Sequence, residues 1–410
     1  RQATLAREAA FAREAAPARE AASARQAAFA RFAETGLPHH KIEAWKYTSL
    51  VHLARTRFQP AAANYELTGA LPARLDGAER AVFVNGRHVA MLSDPPTAGF
   101  ESAHRAGLVL ALGAAADDDP MLSLAVALGQ DGAVLDLQDG AAIELLYITA
   151  PGSGPQMAHS QNRIRVAAGA SATVIERHIA LGAGEATLAN GATAIELGEG
   201  ATLTHVKLQA EAANATHVWH HLATIPAHAR YDNFVVSVGG GLARNRVTTH
   251  LVGAGGHCTL DGAYAGRDRQ HLDHTSKIVH AVADTTSRQV YKGVLDDRAR
   301  GVFQGHIVVA EDAQRTDGHQ LNRALMLSDT AEIDSKPMLE IYADDVKCSH
   351  GATAGDLDET QLFYLQSRGI PQDQARRLLV EAFLAETIDA IPFAPARAAA
   401  LALVQEHLAR

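Results

Sequence analysis

Cysteine is nearly missing from this sequence: Cys258 and Cys348 are the only two in 410 residues. That excludes a disulfide framework and fits reduced thiols in a cytoplasmic protein. Positive charge is in deficit, with 37 Lys and Arg against 46 Asp and Glu and a formal net charge of -9. The balance argues against a nucleic-acid partner. No run approaches the roughly 20 apolar residues needed to cross a bilayer, so no membrane role is expected. The N-terminal stretch also lacks the charged-then-apolar layout of a secretory signal, because arginine and glutamate recur through it. A P-loop lysine motif, a G-x-S-x-G elbow and a G-x-G-x-x-G turn after a strand are all absent. Nothing points to an autonomous active site.

Helix-forming composition dominates both ends. Residues 1–33 carry a near-repeat, "AREAAF", "AREAAP", "AREAAS", "ARQAAF". Its six-residue period keeps no single face of a 3.6-residue helix aligned, and Pro17 interrupts it, so we read a loosely docked helical arm. "EAWKYTSL" at 43–50 follows, with Trp45 and Tyr47 as packing anchors. Near the other end, Asp358 or Thr360 is placed to cap a helix that stops at Gly369. Pro371 opens a longer helix with a broad apolar stripe through Leu378, Leu379, Val380, Phe383, Leu384 and Ile388. These last helices either cap the core or dock a partner.

Between the ends the character is β. "AVFVNGRHVAML" reads as a hairpin around Asn85-Gly86. From about Ala133 to Cys348, short β segments follow one another with small-residue turns and no amphipathic helix between them. A sandwich, a barrel or a solenoid would fit; stacked coils, each burying its inward face against its neighbours, fit the small turns best. The expected layout is an N-terminal helical region at 1–80, a β core at 81–350 and a C-terminal helical region at 351–410.

Three constellations are candidates for chemistry. Cys348 and His350 in "YADDVKCSHGAT" share one face of a strand, since residues i and i+2 project together. A thiolate beside an imidazole suits zinc or iron, and Lys347 is expected to lower the thiol pKa modestly. Two ligands do not close a site, so the pair is either a half-site completed by another chain or a packed cysteine beside a hydrogen-bonded histidine. His271, His274 and His280 form a second candidate, a stand-alone metal site; "THVWHH" at 216–221 ranks below it. Asp296 and Asp297 would serve a β-helical carbohydrate-active enzyme, but tandem aspartates are more often solvated turn residues. Aromatic residues at 5% also leave little for sugar stacking.

Residues 313–370, with "EIYADDVKCSHGAT" at their core, closely resemble the SufB/SufD family of iron–sulfur cluster assembly proteins. "EAWKYTSL" is similar to the N-terminal pattern of its SufD branch, and the shortage of cysteine favours that branch over the SufB paralogue. The Ala-Arg-Glu arm is outside the family pattern, Arg323 replaces a common asparagine, and "IDSKP" replaces "INTKP". The resemblance implies a mainly β protein: a right-handed parallel β-helix flanked by N- and C-terminal α-helical regions. It implies a non-catalytic scaffold that pairs with a SufB-like chain and docks a SufC-like ATPase through its C-terminal helices. A homodimer is an option when the chain is alone. A transient iron–sulfur cluster would form at the interface with the SufB-like chain, with His350, and less certainly Cys348, as this chain's contribution.

Overall fold

The computed structural model describes residues 20–63, 65–95, 99–111, 119–182 and 184–409. The first units of the Ala-Arg-Glu repeat, with Pro17, lie outside them. Residues 20–35 are helical (α1), and this part of the arm docks: Ala28 is buried beside Leu122, Ala125 and Val126, while Phe32 packs near Trp45.

The centre of the chain winds into a parallel β-solenoid of about eight coils. One sheet stacks Ala133–Leu137, Gln156–Val166, Thr187–Leu197, Ala215–Ile225, Leu242–Leu251, His271–His280, Arg300–Val309 and Glu332–Ile341. The other stacks Glu79–Val84, Ala142–Thr149, Ser171–Ala180, Thr202–Ala210, Arg230–Ser237, His257–Gly266, Thr286–Leu295, Thr316–Met326 and Val346–Gly355. The Asn85-Gly86 hairpin forms, with both residues at positive φ (50° and 77°) and Phe83 opposite His88. Its first strand then continues into the solenoid, parallel to Ala142–Thr149.

Strand alternation explains the division of side chains. Val174, Leu203, Tyr231, Leu260 and Tyr264 point inward and form one continuous core. Large and small residues alternate between neighbouring coils: Gly262 lies opposite Tyr291, and Gly293 opposite Tyr264. A Cβ on Gly293 would lie 2.0 Å from the Tyr264 ring, so the glycine is what lets the ring lie flat across the next strand.

The outward faces are apolar as well, because helices cover them. Pro120–Leu128 (α2) and the segment carrying Trp45, Leu50 and Leu53 cover Leu188 and Val218 of the first sheet. On the second sheet, Val206, Leu208, Phe234, Val236 and Val294 lie under the C-terminal helices. These are Glu359–Ser367 (α3), Gln372–Ile388 (α4) and Ala394–Ala409 (α5). Asp358 accepts from the backbone N–H groups of Thr360 and Gln361 at the start of α3, and Gly369 takes a positive φ of 88° after it. The stripe of α4 is used on the sheet, where Val380, Leu384 and Ile388 are buried. The helices therefore cover a side of the solenoid, and capping of its open end is not their role. The reason is the apolar outer face, which alternating burial alone would have left in water.

Candidate functional site

The last coil consists of Glu332–Ile341 and Val346–Gly355, and each strand is the terminal member of its sheet. Each thus has one edge with no strand partner among the described residues. Val346 and Cys348 project from Val346–Gly355 onto the core, and His350 shares their parity at mid-strand, where it is exposed. Cys348 pairs in register with Gly318 and His350 with Gln320. Gly318 leaves room there: a Cβ on it would stand 3.7 Å from Cys348 Sγ and 3.6 Å from His280 Nε2.

Cys348 is half-buried, and burial raises its thiol pKa, with a backbone hydrogen bond from Gly318 opposing in part. The expected lowering by Lys347 does not occur, because alternation sends Lys347 to the other face and burial dominates. Cys258 stands in the same inward column, through Ser287 and Gly318. Three interstrand steps, about 14 Å, separate the two sulfurs' strands. They cannot bind one ion together. Cys258 is fully buried, its thiol pushed up to about 12 by burial.

The other candidates fare differently. His271 lies against the Thr48 hydroxyl at 2.8 Å, His274 packs between Tyr264 and Tyr291, and His280 contacts Thr285 and Ser287. Among the described residues these three form no ligand cluster. Asp296 and Asp297 form a turn, Asp297 at φ 51° with its N–H donating to Asp296 Oδ1.

The cluster that sequence reading missed lies deep inside. Glu176, His205 and His221 bring ligand atoms together, and so do His178, Glu211 and His217; all six are buried. "THVWHH", ranked lowest by spacing, supplies two of them. The available signal was parity: Glu176 and His178, and His205 and Lys207, sit two apart, and His217 and His221 four apart, on inward positions. Burial opposes ionisation of Glu211, and His217 at 2.7 Å holds its carboxyl at about 2. Lys207 is pushed down to about 7 by burial, with Nζ 5.0 Å from the Trp219 ring centroid.

Comparison with known proteins fits this geometry. The family model described as the SufBD core domain of SUF-system FeS cluster assembly matches residues 147–383, which hold most of the coils and the Cys348–His350 strand. The iron–sulfur cluster assembly protein SufD of Escherichia coli is 35% identical over 370 residues, covering 87% of this chain and 86% of that protein. The SufBD family protein slr0076 of Synechocystis is 31% identical over 391 residues, covering 87% and 84%. The SufBD family protein Rv1462 of Mycobacterium tuberculosis is 34% identical over 271 residues, covering 64% and 67%. No described helix is long and apolar enough to cross a membrane. The chain belongs to the SufBD family of iron–sulfur cluster assembly proteins, as a SufD-type subunit.

Proposed function

We propose that this chain is a non-catalytic half-scaffold: its final coil pairs with a SufB-like chain, and a nascent iron–sulfur cluster forms at the junction as cargo. The observation that carries this reading is the open end of the solenoid, where Cys348 and His350 share a face beside two unpaired sheet edges. Exposed parallel edges are templates for another chain's strands, and natural proteins cover them. Tyr342, 64% exposed beside the strand end, adds an aromatic anchor of the kind that concentrates binding energy. One thiol and one imidazole leave an iron site incomplete, so the partner supplies the remaining ligands.

A SufC-like ATPase docks on the C-terminal helices in this reading. The sheet takes up the apolar stripe of α4, so docking falls to α3 and the exposed flank of α4. Phe363 (70% exposed), Tyr364 (56%) and Leu378 (43%) form that surface. ATP hydrolysis then belongs to the partner, whose movement can open the interface.

Co-expression with a SufB-like scaffold and a SufC-like ATPase tests this. The three chains are expected to purify as one complex, and Phe363→Asp is expected to release the ATPase while the scaffold pair persists. A chain that elutes alone in the presence of both partners would contradict the reading.

A further inference from the structure

We propose a second metal site, unrelated to the terminal coil: Glu176, His205 and His221 hold a divalent first-row transition-metal ion inside the solenoid. His205 Nε2 lies 3.3 Å from Glu176 Oε1, and His221 Nε2 lies 3.3 Å from Glu176 Oε2. Ligands at the usual zinc distances of about 2.0–2.1 Å on a tetrahedron stand about 3.3 Å apart, so the spacing is that of donors around one small ion. All three side chains are fully buried.

Hydrogen bonding serves only part of the group: Glu176 accepts from His178, His221 and Thr193, while His205 Nε2 lacks a well-formed bond. His205 Nε2 comes within 3.3 Å of the carboxylate but is poorly aligned for donating an N–H to it. The far side of the His205 ring is fixed by the Tyr231 hydroxyl at 3.0 Å from Nδ1, the second contact that metal-bound imidazoles ordinarily have. Lys207 stands in register beside Glu176, fully buried, with no hydrogen-bond partner for Nζ. Burying a carboxylate, two imidazoles and an amine with unpaired donors costs several kcal/mol. An ion completed by a solvent-derived ligand would offset that cost, and two imidazoles with one carboxylate suit zinc or ferrous iron.

A cavity lies beside the group without touching the three proposed ligands. A small cavity of about 30 Å³ is lined by Asn85, Gly86, Tyr147, His178, Glu211 and Trp219. His178 Nε2 is in turn 3.3 Å from Glu176 Oε2. The site is also remote from the proposed cluster site. His205 and His350 belong to one inward column, through Asn233, Leu260, Gln289 and Gln320, five interstrand steps or about 24 Å apart.

The test uses the full chain carrying His350→Ala, so that the terminal pair contributes nothing. The protein is unfolded with chelator, refolded anaerobically with Zn²⁺, Fe²⁺ or Co²⁺ in separate arms, desalted and assayed for metal. About one ion per chain is expected, with the intense visible bands of tetrahedral cobalt in the Co²⁺ arm. The His205→Gln, His221→Gln double variant is expected to bind at least about tenfold more weakly. Substoichiometric metal in the parent overturns the proposal, as does full occupancy in the double variant. Should that variant fail to fold, the parent decides alone: its thermal midpoint is expected to rise with added Zn²⁺, and an unchanged midpoint overturns the site.

Discussion

Asp119→Ala is expected to lower the unfolding free energy by about 3–5 kcal/mol, the range for breaking a buried charge network. The side chain joins three parts of the molecule that are far apart in sequence. Its Oδ1 accepts from the N–H groups of Met121 and Leu122, capping α2. Its Oδ2 accepts from Trp45 Nε1 at 3.0 Å and from Arg246 Nη1 at 2.8 Å. Burial opposes ionisation, but His220 and Arg246 hold the carboxyl at about 2, so it is charged when folded. Alanine removes the cap and the carboxylate that faces the buried Arg246, and it frees the N-terminal segment. Asp119→Asn preserves the shape and loses the charge, so its loss should be smaller. Urea titration gives the free energy, and Trp45, one of two tryptophans, reports the local change by fluorescence. A loss below about 1 kcal/mol would show that the segment is held by packing alone.

The second large effect is acid sensitivity. His159, His274 and His280 are each depressed to about 4, with burial the largest cause, and His271 behaves alike. The unfolded chain protonates these rings near 6.5 while the folded chain keeps them neutral, so the unfolded state binds more protons between those values. Stability is therefore complete above about pH 6.5 and falls as pH drops toward 4. Each fully buried ring contributes on the order of 3 kcal/mol over that window, and a few of them match the whole stability of a typical domain. Urea midpoints at stepped pH values should fall steeply below pH 6.5, and His280→Gln should flatten the slope. A midpoint that is level from pH 7 to 5 would contradict it.

Much of the architecture was legible from residue pattern. Short β segments without intervening helices, the Asn85-Gly86 turn, the Asp358 cap and the helix opened by Pro371 all follow from local chemistry, which tertiary packing had no reason to override. Two things were not legible. The outward apolar residues of the second sheet look like ordinary strand alternation until the register shows which face each occupies. That is why α4 read as a cap or a free docking stripe. The interior His and Glu cluster was hidden for the same reason: Glu176, His205 and His221 come from three different strands, so no sequence spacing links them. The same-face placement of Cys348 and His350 needed only strand parity within one segment, and the structure keeps it. Their role as ligands rests on the family and on the open coil.

The most direct test of the central claim is cluster formation by the three-chain assembly with His350→Ala in this subunit. Under anaerobic conditions with iron and a sulfide source, the unaltered assembly should develop the visible absorption of an iron–sulfur cluster. The variant should assemble equally well, melt at the same temperature and form almost none. Cluster formation by the variant at the unaltered rate and yield would remove His350 from the site and contradict the account.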